Sequence, residues 1–163
     1  MKPDFYRYIR YMDFDISRGE MTTNPLGGIA FGFYKHNPEI DALAFVSARC
    51  HDEDRFDKTR AKHMVNRRIQ INTMRGLHEI MSVLDYTQDV NILVDQILNF
   101  SLTWTAPEGS TSNMQYFELS LRELAKHIAK IRAHNAIENK KFHEWQALGR
   151  ALDFGHFYRS LNS

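Results

Sequence analysis

The sequence predicts an α+β fold, mostly helical, in which an N-terminal β-hairpin packs against a bundle of four to five helices. Three observations predict it. Ile29, Phe31 and Phe33 alternate with Ala30, Gly32 and Tyr34, the period-2 pattern of a strand. A second, mostly apolar run from Ala42 to Ala48 follows a short Asn37-Pro38 loop, and a hairpin over 28–49 is the simplest pairing of the two. Beyond residue 57, apolar side chains recur at spacings of three and four, the stripe of amphipathic helices.

A chain of 163 residues, 43% of them hydrophobic, suits one domain whose core needs no covalent staples. We read 1–163 as that domain, with an aromatic N-terminal arm over 1–24, the hairpin over 28–49 and a helical part over 57–160. Phe5, Ile9 and Met12 lie four and three apart in the arm, which predicts a short helix, with an irregular aromatic arm as the alternative. Gly19 and the run Asn24-Pro25-Leu26-Gly27-Gly28 are turn punctuation. In the first strand, Ala30 and Gly32 leave one face low enough for close packing. His36 to Asp41 reads as a loop, because a proline donates nothing to a sheet ladder.

Asp54 or Asp57 can cap a helix that opens near Lys58, with Ala61, Met64, Val65 and Ile69 as its apolar stripe. A second stripe, Ile71, Met74, Leu77, Met81 and Leu84, is out of phase with the first, and Gly76 interrupts it. That predicts a kink or two helices. Asp89 can cap a further helix carrying Val90, Leu93, Val94 and Ile97. Thr105 to Ser110 is a loop. Ser112 and Gln115 have capping-box spacing ahead of the strongest amphipathic pattern, Phe117, Leu121, Leu124, Ala125, Ile128 and Ile131. A last helical stretch after Asn135 should run past Gly149 and stop at Gly155.

Several function classes lose support at this level. A single cysteine, Cys50, permits no internal disulfide and no cysteine-rich zinc site. The N-terminus has no continuous apolar segment of the kind a signal peptide carries, and no run approaches a membrane span. The expectation is a cytoplasmic protein without a membrane or cofactor. No Gly-x-Ser-x-Gly elbow is present, and Gly27-Gly28 precedes a strand rather than opening a helix, so neither nucleophilic nor phosphate-loop chemistry is indicated.

The net charge of +1 conceals segregation. Lys58 to Arg75 holds six cations and no acid; Gly76 to Leu121 holds six acids and no Lys or Arg. From Arg122 onward there are eight cations against four acids. The basic segment is therefore the leading binding candidate, with Lys58, Arg60, Lys62, Arg67 and Arg68 as its residues. Such side chains contact phosphates or acidic partners in a salt-sensitive way. The competing reading is a solvated face that pairs with the chain's own acids. A second candidate is the cluster His51, Asp52 and Asp54, whose imidazole and carboxylates suit a divalent metal for phosphoester hydrolysis. It would need further ligands from His36, His78, His127 or His134, none at diagnostic spacing, and a charged, helix-capping loop explains it more simply. His127 and His134 are seven apart, too far for one zinc, and fit a wet basic face. The aromatics Phe5, Tyr6, Tyr8, Tyr11 and Phe14 suit base stacking or an interface, or else pack down on the domain as a lid.

Gly27-Gly28-Ile29-Ala30-Phe31, Phe45 to Cys50, Asp54-Arg55-Phe56-Asp57-Lys58 and Ala61 to Arg68 together resemble small uncharacterised tailed-phage accessory proteins. Those have a Gly-Gly strand, a strand ending in Cys, an Asp-x-Phe-x-Lys helix start and a basic helix. The resemblance spans residues 27–70 and departs where Ala61-Lys62 stands in place of a Gly-Arg pair. It brings no catalytic residue. It implies a phage or mobile-element origin and an accessory role such as host takeover or defence evasion. The resulting expectation is a non-enzymatic protein that binds a host protein or nucleic acid in the host cytoplasm. The alternatives are a small metal-dependent phosphodiesterase or nuclease at His51-Asp52, and a structural component that forms a homo-oligomer.

Overall fold

The computed structural model describes residues 2–161. Strands β1 (Phe5–Ile9), β4 (Leu26–Tyr34), β5 (Ala42–Arg55) and β6 (Leu84–Asp85) form an antiparallel sheet in the order β1-β4-β5-β6. Strands β2 (Met12–Asp15) and β3 (Glu20–Thr23) form a separate antiparallel pair. The helices are α1 (Lys58–Met74), α2 (His78–Met81), α3 (Val90–Thr103) and α4 (Ser112–Leu161). The α+β class holds. The helices do not gather into a bundle, however; they cover the two faces of the sheet, and α2 is a single turn.

The arm is β-structure, contrary to the helix its spacing predicts. Phe5, Arg7 and Ile9 take one face of β1 and Tyr6 and Tyr8 the other, each in register with β4. A short aromatic run fits both periods, and the open edge of β4 selects the extended one. Phe5 stacks on its partner Phe33 at 5.1 Å. The predicted hairpin is present as β4 and β5 but runs wider than 28–49. Gly27 and Gly28, with φ of 71° and 133°, form a bulge inside β4 rather than a turn before it.

The two faces of the sheet differ in depth. Gly28, Ala30 and Gly32 of β4 lie beside Cys50, Ala48 and Val46 of β5, which is the low face anticipated from sequence. Helix α1 settles on it, burying Ala61, Val65 and Ile69. Asp57 caps its first turn, accepting hydrogen bonds from the backbone N–H of Thr59 at 2.9 Å and of Arg60 at 3.2 Å. The opposite face carries Ile29, Phe31, Phe33 and Phe45, all buried. Phe45 meets Phe100 of α3 edge-on at 6.0 Å. Helix α3, capped by Asp89 as predicted, packs along α4, where Phe117, Leu121, Leu124, Ile128 and Ile131 complete the same core. Arg122 donates to the carbonyls of Ser101 and Trp104, meeting acceptors left over at the end of α3.

Three further expectations are corrected. Leu84 belongs to β6, not to a helical stripe. Helix α4 begins after Thr111, whose carbonyl accepts from Met114 and Gln115, rather than with Ser112 as cap. It also continues through Asn135 and Gly155. One helical glycine costs about 1 kcal/mol, too little to end a helix by itself. The length of α4 matters because the β2–β3 pair leans on it. Asn135 accepts from the Met12 N–H at 2.7 Å and donates to the Arg10 carbonyl at 3.0 Å. Phe14 meets Phe142 and Trp145.

Between α1 and α2 the buried Tyr34 and His78 meet the exposed Thr73 and His36 in a polar knot. His78 Nδ1 is 2.6 Å from the Tyr34 hydroxyl, Nε2 bonds Thr73, and the ring stacks on His36 at 4.6 Å. Burial, then the neighbouring His36, lowers the His78 pKa from 6.5. The unfolded chain therefore takes up a proton near 6.5 that the folded chain refuses, so stability falls as pH drops through that value. Thermal unfolding followed across this window should show a falling midpoint, with a shallower fall in His78→Gln. A second expectation concerns the low face. A Cβ on Gly32 would sit 2.4 Å from Val65 Cγ1 and 3.1 Å from Pro3. Gly32→Ala should cost about 1–3 kcal/mol in denaturant unfolding, because α1 must lift off the sheet.

Candidate binding cleft at the open edge of the sheet

Strand β6 pairs only with Ala42 and Leu43, which among the described residues leaves the outer edge of β5 without a strand neighbour from Ala44 onward. In an antiparallel ladder, alternate residues point their backbone groups inward and outward. The Ser47 carbonyl accepts the Arg68 guanidinium from outside, so Ser47 faces outward, and by alternation so do Phe45 and Arg49. Helix α1 walls this edge on one side and the first turns of α4 wall it on the other. The result is a cleft of two hollows, about 310 and 430 Å³, which share Arg68 at their junction.

The wall from α1 carries Arg60, Met64, Arg68, Ile71 and Arg75, at spacings of four, four, three and four. That is one stripe of a helix. Arg49 and Arg55 add two cations from β5, and the α4 wall offers Asn113, Tyr116 and Ser120, with Phe117 and Leu121 buried behind them. Asp54 and Asp57 are the acids in the lining, and Asp57 is committed to the α1 cap. Among the described residues, none of the five arginines is ion-paired with the chain's own acids. Burial lowers the Arg68 pKa, although a guanidinium stays charged in any protein setting.

The five basic residues singled out from sequence do not form one patch. Arg60 and Arg68 line the cleft, and Arg67 lies beside Arg60 in a shallow hollow on the outside of α1. Lys58 and Lys62 lean the other way, over the rings of Tyr8 and Tyr6 at 5.1 and 5.2 Å, toward β1 at the far edge of the sheet. Arg49, Arg55 and Arg75 were missed. The spacing of Arg60, Arg68 and Arg75 would have found the last of these; nothing in the sequence says which edge of the sheet stays open.

Among the described residues, His51, Asp52 and Asp54 do not converge into one ligand cluster. His51 and Asp54 are exposed, and Asp52 is engaged by Lys130 of α4, which holds its carboxyl below the usual range. Burial, then Asp52, pushes the Tyr11 hydroxyl up to about 12. Among the described residues, the His and acidic side chains that do converge are Asp13, His134 and Glu138, within 4.8 Å of one another. His134 Nε2 sits 2.8 Å from Asp13, and Lys141 lies 2.9 Å from Glu138. This network ties β2 to α4. The arm's aromatics pack down as well, with the Tyr6 hydroxyl donating to Asn66 at 2.6 Å.

No helix among the described residues is long and apolar enough to cross a membrane. Compared with known proteins, the chain matches no family model, no curated protein and no solved structure.

Cleft arginines that pair with nothing of their own should be dispensable for folding. Arg60→Ala and Arg75→Ala should each shift unfolding free energy by less than about 0.5 kcal/mol in urea titrations. Arg122→Ala, which strips the end of α3 of its partners, should cost about 1–3 kcal/mol.

Proposed function

We propose that the chain is a non-enzymatic accessory protein, of the tailed-phage kind its hairpin and basic helix resemble, that binds an acidic surface of a host protein through the cleft beside β5. One observation carries the reading. In a chain with 21 Lys and Arg against 20 Asp and Glu, the five cleft arginines have no ion-pair partner among the described residues, while Lys126, Lys130, Arg132, Lys140 and Lys141 of α4 do. The mechanism is occlusion, in which the cleft occupies an acidic surface that another macromolecule needs.

A protein partner fits better than nucleic acid. A net charge of +1 supplies little long-range attraction for a polyanion. Nor do the arm's aromatics offer a stacking platform, since lysines cover the rings of Tyr6 and Tyr8, and Phe14 lies against Phe142 and Trp145.

The test is an affinity pull-down from bacterial lysate, with and without nuclease, using the wild type and two charge-reversal variants. Capture should survive nuclease. It should be lost in the Arg60→Glu, Arg68→Glu, Arg75→Glu triple variant and kept in Lys58→Glu, Lys62→Glu. Loss only after nuclease treatment would assign the cleft to nucleic acid, and undiminished capture by the triple variant would remove the cleft as the binding surface.

A further inference from the structure

Further along α4, away from the cleft, the side chains that converge on β2 have the chemistry of metal ligands. His134 and Glu138 are four apart in the helix, which sets them on one face, about 6 Å apart along the axis. Asp13 of β2 meets them there. One ligand atom from each of the three lies within 4.8 Å of the other two, and His134 Nε2 is already 2.8 Å from Asp13 Oδ1. Ligand atoms on a tetrahedral zinc, each about 2.1 Å from the ion, stand about 3.4 Å apart. Closing 4.8 Å to that separation takes about 1.4 Å, a movement that rotation about the Glu138 side-chain bonds supplies.

Charge and burial point the same way. Asp13 and Glu138 bring two carboxylates to a half-buried position beside Tyr11, whose ring meets His134 edge-on at 5.2 Å. The Oε2 atom of Glu138 is fully buried and, among the described residues, accepts no hydrogen bond. The Lys141 ammonium lies 2.9 Å from it without hydrogen-bond alignment, and that lysine side chain is 58% exposed against 14% for Glu138. A buried acceptor held only by an exposed lysine is still short of a partner.

We propose that Asp13, His134 and Glu138 bind one divalent transition metal of the zinc class, which clamps the β2–β3 pair to α4. One imidazole nitrogen with two carboxylates suits zinc or manganese, whereas magnesium and calcium take oxygen ligands. Ligation uses the Nε2 lone pair, so the hydrogen bond between His134 and Asp13 is exchanged for two bonds to the ion. The ion balances both carboxylates, and Lys141 turns to water. Because β2 and β3 stand outside the main sheet, the clamp adds to the hold that Asn135 and Phe14 already give them.

The test is zinc chloride titrated into the untagged, chelator-treated protein by isothermal calorimetry. One ion per chain should bind, with a micromolar or lower Kd, and magnesium chloride should not compete. His134→Gln and Glu138→Gln should each weaken zinc about tenfold or more, while His51→Gln should leave it unchanged. Hydrogen exchange on the wild type locates the ion without any variant: zinc should slow the amides of Met12–Asp15 about tenfold relative to the same protein in EDTA. If either variant unfolds, that readout decides alone. Absence of zinc binding, wild-type affinity in both ligand variants, loss of affinity in His51→Gln, or protection that spares β2 would each overturn the site. Competition by magnesium at equal concentration would overturn its zinc-class character.

Discussion

The approach of α1 to the sheet is the constraint on which the rest depends. With Gly28, Ala30 and Gly32 beneath it, the helix lies so low that Val65 occupies the space a Cβ on Gly32 would need. A low helix is also a fixed one, since any rotation about its axis drives a side chain into the strand backbone. Its stripe of Ala61, Val65 and Ile69 must point down, and the stripe one step around, Arg60, Arg68 and Arg75, is thereby aimed past the edge of β5. The direction of the arginines is set by glycine and alanine on another element.

The opposite face has the reverse character. Ile29, Phe31, Phe33 and Phe45 stand tall from it, so α3 and α4 pack on aromatic side chains rather than on backbone. Burying each of those phenylalanines contributes about 1.5–3 kcal/mol, which makes this face the larger source of apolar stabilisation. A sheet with one layer close and the other held off has walls of unequal height at its open edge. At that edge long, charged arginines reach from the near wall and Tyr116 stands on the far wall.

Local pattern carried much of this into the sequence and left some of it out. The cap at Asp89, an acidic cap for α1 at Asp54 or Asp57, the low face at Ala30 and Gly32, and the break near Gly76 all depend on residues within one turn or one strand of each other, and all were legible. The arm was not. Whether Phe5 to Ile9 is helix or strand depends on whether β4 offers it an edge, and the partners are twenty to twenty-eight residues away. The course of α4 was obscured for a related reason: Asn135 looked like an interruption, yet its amide is the anchor for Met12 and Arg10. At the cleft, the basic segment was legible as a charge run but not as a surface. Lys58 and Lys62 share the run with Arg60 and Arg68, and only the sheet decides that the lysines lie over tyrosines at one edge and the arginines line the cleft at the other.

Charge segregated along a chain need not be charge that pairs in space. The acid-rich, cation-free stretch from Gly76 to Leu121 is the obvious counterpart of the basic segment from Lys58 to Arg75, yet among the described residues they make no ion pair with each other. Asp95 instead takes Arg132 at 2.7 Å, and Asp52 takes Lys130. Both cations come from α4, because α4 runs beside α3 and under the end of β5 while α1 lies across the sheet. The sheet lies between α1 and α3, so Asp95 sits on the far side of it from the cations of α1. The uncompensated charge on α1 is therefore a consequence of topology, and it persists whatever the net charge of the chain.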